Sequence, residues 1–140
     1  MGHVPPGTLS PQGQGDELSR RQHRGARALP AALGDRLTLA RFGESVAASF
    51  LRRRGLTITH RNHAVGRGEI DILALADKRR VAVEVKTRRA GSVDPVESFT
   101  PAKSQQVRRL AGQLGIGRVD LVAVTVGGDF VDVRWLPQIV

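Results

Sequence analysis

At 140 residues, 40% apolar and 4% aromatic, the chain suits one modest domain whose core must come mainly from Val, Leu, Ile and Ala. Its 22 Lys and Arg against 13 Asp and Glu leave a formal charge of +9, a surplus that points to a polyanionic partner, nucleic acid first and an anionic membrane second. The absence of cysteine excludes a disulfide framework and a thiolate zinc site and fits a reducing cytoplasm, and no apolar run approaches the roughly 18 residues of a membrane span.

Residues 1–35, rich in Pro, Gly, Gln and Arg, show neither helical nor strand periodicity. They read as a disordered N-terminal arm, either a basic arm that touches nucleic acid or a solvated leader. Residues 36–140 hold the folded domain. Leu39, Phe42, Val46 and Phe50 recur at helical spacing and Gly55 ends the run, which predicts a helix over 37–54. Residues 56–62 read as a short strand, followed by a turn through 66–68. Two further strands, about 69–76 and 80–88, are joined through the short segment ADKRR and form an antiparallel hairpin. Thr100 and Pro101 are an N-cap and first helical position, and Val107, Leu110, Ala111 and Leu114 make the apolar stripe of a second helix that stops at Gly115. Strands at 119–126 and 130–136 flank the turn Gly127-Gly128-Asp129. The fold class is α/β: a mixed sheet flanked by helices, in the order helix, three strands, helix, two strands. The second helix is a long enough crossover to make the strand of Glu84 parallel to the strand that starts at Val119.

Four charges sit inside the two apolar strands of the hairpin. Side chains alternate across a strand, so Glu84 and Lys86 share one face while Val81, Val83 and Val85 share the core face; in the partner strand Glu69 and Asp71 lie opposite Ile70 and Ile72. The hairpin can bring Asp71 to Glu84. Two carboxylates at the edge of an apolar core are costly unless a positive group sits between them. Mg²⁺ or Mn²⁺ meets that need with oxygen ligands, and such an ion polarises a phosphodiester and acidifies an attacking water. Lys86 beside it can orient that water or stabilise growing charge. Only Lys78, Lys86 and Lys103 are lysines among the 22 basic residues, and an ammonium can shed a proton where a guanidinium cannot. The competing reading of the same residues is a structural ion pair of Asp71, Glu84 and Lys86 on a solvated sheet face.

GEIDILALAD followed by VAVEVKTR, with Arg61-Asn62 ahead of them and Gly43-Glu44 in the first helix, closely resembles the YraN-like family of small proteins over residues 37–126. That family is similar in turn to the restriction-endonuclease-like nuclease superfamily, whose pattern is Asp followed by Glu-x-Lys and whose branched-DNA resolvase members add a Glu on the first helix. The resemblance implies a restriction-endonuclease-like fold and a metal-dependent DNA endonuclease, with branched or damaged DNA among its candidate substrates. By position it makes Asp71 and Glu84 metal ligands, the Val85 carbonyl and Glu44 further ligands, and Lys86 the water-orienting group. A nucleic-acid-binding module that kept the fold without turnover is the alternative.

The remaining candidates support such a site. Lys103 matches a second-helix lysine of the family and is either a phosphate contact or a snorkelling side chain. Glu69 either binds metal beside Asp71 or else holds the turn or supports a ligand from behind, and Asn62 caps the turn or braces the site. His60 and His63 read as surface residues or phosphate contacts. Arg52, Arg53 and Arg54, Arg88 and Arg89, and Arg108 with Arg109 cluster at element ends, which suits phosphate tracking without base reading.

Overall fold

The computed structural model describes residues 18–23 and 35–139. Its elements are β1 (Leu18–His23), α1 (Arg36–Arg53), β2 (Thr57–Val65), β3 (Gly68–Ala76), β4 (Arg79–Arg89), α2 (Pro101–Gln113), β5 (Val119–Val126) and β6 (Phe130–Leu136). From residue 36 onward this is the expected order of helix, three strands, helix and two strands. One mixed sheet runs β1-β6-β5-β4-β3-β2. Among the described strands only β4 and β5 pair in parallel, across the α2 crossover; the other neighbours are antiparallel.

The helices start and stop for local reasons. Asp35 caps α1, its carboxylate accepting from the Leu37 N–H at 2.8 Å, and the chain leaves the helix through Gly55 at a φ of 94° with Leu56 N–H returning to the Leu51 carbonyl. Thr100 caps α2, with Pro101 at its first position. Each helix covers one sheet face. Val46, Phe50 and Leu51 of α1 pack on Val81, Val83, Val122, Val124 and Trp135, while Val107, Leu110 and Ala111 of α2 pack on Ile70, Ala82 and Val119.

Two departures from the sequence reading have structural causes. The composition of residues 1–35 predicts a disordered arm, whereas Leu18–His23 forms a strand against β6, from Leu18↔Trp135 to His23↔Phe130. Pairing at an open sheet edge uses main-chain donors and acceptors and needs no apolar alternation. Residues 1–17 and 24–34 of that expected arm lie outside the described residues. The second departure is the length of β2, which reaches Val65 rather than residue 62. A register shift between Ile58 and His60, and the left-handed backbone of Asn62 at a φ of 51°, break the alternation by which a strand is read.

Under α1 the sheet holds a carboxylate that sequence periodicity did not single out. Asp120 is fully buried and accepts four hydrogen bonds. Arg118 donates from Nε at 2.9 Å and from a terminal guanidinium nitrogen at 3.0 Å, Trp135 Nε1 at 2.9 Å, and Gln138 N–H at 2.8 Å. This ties the start of β5 to β6 and to the segment that follows it.

Candidate functional site

The hairpin of β3 and β4 pairs only from Ala76↔Arg79 to Ile72↔Val83. Beyond that point β3 stays with β2 and β4 stays with β5, so the two strands part in the middle of the sheet. Continued in register, the next position would set Asp71 across from Glu84, and on its other side Asp71 would meet Asn62. Asn62, Asp71 and Glu84 thus form a row across three strands. At the fork the Val85 N–H has lost its strand partner, and the Asp71 carboxylate takes it at 2.8 Å.

The second face of the fork comes from α1. Gly43 lies directly on Thr87 of β4, where a β-carbon would stand 1.8 Å from Thr87 Oγ1. That close approach carries Glu44 to the row, where its Oε1 accepts from Asn62 Nδ2 at 2.8 Å. The left-handed backbone of Asn62, a conformation that Asn tolerates well, aims this amide at the helix. Glu84 is paired with Lys86 at 3.1 Å, both side chains largely buried.

The Asp71 carboxyl is pushed from its ordinary 3.8 up to about 8. Burial is the main cause and the charge of Glu84 the next; the Val85 N–H works against them, and the charge of Glu44 and a hydrogen bond with Glu84 add to the rise. Between those two pH values the folded chain holds a proton that the unfolded chain has released, so stability falls as pH climbs through that interval and levels off above it. One proton changes stability by at most about 1.4 kcal/mol per pH unit. Thermal melts from about pH 5 to pH 8 in chelator should show the wild type losing stability relative to Asp71→Asn, which has no carboxyl to titrate. Parallel curves for the two proteins would remove the strain assigned to this carboxylate.

The structure therefore brings together Glu44, Asn62, Asp71, Glu84, Val85 and Lys86. Val85 meets Asp71 through its N–H, whereas the sequence reading invoked its carbonyl. Among the described residues no three His, Cys, Asp or Glu side chains stand as a ready metal cage; Asn62 engages Glu44 and Lys86 engages Glu84. The donor set itself fits a hard divalent cation. All three acids would offer oxygen donors, and Asp71 holds a proton where a cation would relieve the crowded charge.

Other candidates lie elsewhere. Glu69 is exposed and pairs across from Ala64, two residues from the row. Arg52, Arg53 and Arg54 end α1, roughly 12 Å beyond Glu44 along the helix axis at 1.5 Å per residue. There Arg53 donates to Ser49 Oγ at 2.8 Å and the Arg54 guanidinium sits 4.8 Å from the centre of the Phe50 ring. Lys103 and Arg108 are exposed on α2, outside its buried stripe of Val107, Leu110 and Ala111. His60 and His63 meet edge to face with ring centres 4.9 Å apart. Arg88 and Arg89 do border the site, lining a cleft with Lys86 and with Arg36 of α1. Sequence reasoning passed over Arg36, which sits in a stretch with no motif of its own.

Residues 43–135, which include every residue of the row, match the model of the uncharacterised protein family UPF0102. A UPF0102 protein of Syntrophotalea carbinolica is 39% identical over 111 residues, covering 73% of this chain and 90% of that protein. One from Streptomyces coelicolor is 40% identical over 67% of this chain and 81% of its own length. One from Thermotoga neapolitana is 39% identical over 69% of this chain and 96% of its own length.

Proposed function

The chain belongs to the UPF0102 family, and from the site its residues build we propose that it is a divalent-metal-dependent endonuclease that hydrolyses DNA phosphodiester bonds on a restriction-endonuclease-like fold. The observation that carries this reading is the fork between β3 and β4, which sets the half-buried, proton-holding Asp71 against Glu84 with Glu44 nearby. Mg²⁺ or Mn²⁺ held by Asp71 and Glu84 would supply the positive charge that polarises a phosphodiester and acidifies an attacking water. Glu44 is held in place by the Asn62 amide and bounds the site on the helix side. Lys86 is the cation within reach of that phosphate. Once Glu84 is drawn to another positive charge, the 3.1 Å pair loosens and the ammonium is available to steady developing negative charge or to orient the water. Arg88 and Arg89 continue the positive surface along the same strand. The arginine surplus supports DNA as the partner.

The second reading, a nucleic-acid-binding module without turnover, is favoured by the closed Lys86–Glu84 pair and by the lack of a ready cage among the described residues. A cleavage panel separates the two. Linear, nicked, flapped and four-way DNA are incubated with wild type and Lys86→Arg in Mg²⁺, Mn²⁺ or chelator, and affinity is measured alongside. The nuclease reading expects cleavage in metal alone, lost in Lys86→Arg while DNA affinity stays within about threefold, because charge is kept but the compact ammonium is not. Cleavage of no substrate in either metal would leave the binding module.

A further inference from the structure

His60 and His63 read from the sequence as surface residues or phosphate contacts, and three residues apart on a regular strand they would face opposite sides of the sheet. The structure sets them together. β2 is an outermost strand of the sheet; within it the register shifts between Ile58 and His60, and Asn62 takes the left-handed backbone at a φ of 51°. These two irregularities break the alternation, and the imidazoles meet with ring centres 4.9 Å apart and planes at 65°. His60 is exposed and His63 half-buried.

A short relay settles which nitrogen of neutral His60 carries the proton. Thr59 Oγ1 donates its one hydrogen to the Leu73 carbonyl at 3.1 Å, so toward His60 Nδ1, also 3.1 Å away, it can only accept. Nδ1 therefore bears the hydrogen and Nε2 the lone pair, which is the state of a metal-ligating histidine whose second nitrogen is held by a hydrogen bond. The spacing agrees. Two imidazoles on one ion, each bound about 2.1 Å away at tetrahedral or octahedral angles, have ring centres roughly 4.5–5.2 Å apart, and the observed 4.9 Å lies inside that range. An ion thus asks for ring rotation rather than backbone movement. We infer that His60 and His63 form a metal site of their own, for a late transition cation such as Zn²⁺, with water completing its shell. Neutral imidazole nitrogen selects such ions, whereas the acids of the fork suit Mg²⁺ or Mn²⁺. Among the described residues no third His, Cys, Asp or Glu joins the pair, so positions on the ion stay open to solvent. Asn62 lies between the two ligands, and the ion ties together both ends of the left-handed stretch whose amide holds Glu44 at 2.8 Å.

Calorimetric titration of the full chain with Zn²⁺, in excess Mg²⁺ to occupy oxygen ligands, tests the site. Wild type and the variant with Asp71→Asn and Glu84→Gln should bind Zn²⁺ alike. His60→Ala and His63→Ala should each weaken it by about tenfold or more. The other two histidines, His3 and His23, stay in every protein and give a common background. Thr59→Val, which removes the partner of Nδ1, should weaken Zn²⁺ by about tenfold, and Thr59→Ser should restore it. Melts in chelator check that the variants are folded, and NMR of the imidazole nitrogens reads the wild type without any substitution. Before metal His60 should be the Nδ1–H tautomer, and equimolar Zn²⁺ should shift His60 Nε2 and one nitrogen of His63. Equal Zn²⁺ affinity in wild type and both histidine variants, an Nε2–H tautomer at His60, or loss of Zn²⁺ binding in the Asp71 and Glu84 variant overturns the site. Cleavage enters none of these readouts, so the outcome is independent of the nuclease reading.

Discussion

Asp71→Asn together with Glu84→Gln should lower Mg²⁺-dependent cleavage by about a thousandfold or more, the scale of losing the groups that handle transition-state charge. Both changes keep the shape of the site and remove up to two negative charges from the fork. Two further results follow from electrostatics. In chelator the double variant should bind DNA as well as wild type or better, because fewer carboxylates face phosphate. In Mg²⁺ the wild type should gain affinity at matched ionic strength and the variant should not, its cation ligands being gone. The binding-module reading expects no metal-linked gain in either protein and a lower melting temperature in the variant, since Lys86 loses the charge it pairs with at 3.1 Å. A wild type that neither cleaves nor binds more tightly in metal would end the nuclease reading and leave the fold standing.

The largest stability loss is expected at Asp120. Truncation to Ala leaves the Arg118 guanidinium buried without its carboxylate, at 6% side-chain exposure against 0% for Asp120, and also strands the Trp135 indole N–H and the Gln138 N–H. Breaking a buried pair on one side costs about 3–5 kcal/mol, a large share of the 5–15 kcal/mol that holds a typical domain together. Urea unfolding should show that loss. Adding Arg118→Met to Asp120→Ala should recover part of it, because the unpaired cation is gone, while the two stranded N–H groups keep the recovery incomplete. A loss below about 1 kcal/mol for Asp120→Ala would mean that water or a shifted side chain replaces the carboxylate.

Element order was legible because each element carries its period and its punctuation. Val107, Leu110 and Ala111 between Thr100-Pro101 and Gly115 specify a helix with little competition, while β5 is a nearly unbroken apolar run and β6 alternates cleanly, the two parted by two glycines. The acids of the row and Lys86 were legible for the opposite reason, as charges inside apolar strands. What brings them together was not. The parting of β3 from β4 is a choice between partners on two sides of each strand, and no local pattern records it. β1 escaped notice because edge pairing is written in the main chain, and Asp120 because one carboxylate in an apolar strand looks the same whether it faces water or Arg118. Arg36 joins the cleft only through the packing of α1 on β4, so in the sequence it is one arginine among many.

The contact of Gly43 with Thr87 decides how freely the helix side of the site can move. With a β-carbon at 43 falling 1.8 Å from Thr87 Oγ1, no spacer fits between helix and strand at this point. Mechanically, α1 and β4 behave there as a single stiff plate, and Glu44, one residue along, inherits that stiffness relative to Glu84. Any larger residue at 43 would act as a shim, lifting the helix and stepping Glu44 back from Asn62 and Asp71 without altering a single charged group. The tolerance of the site is therefore machined by a residue that touches none of its chemistry.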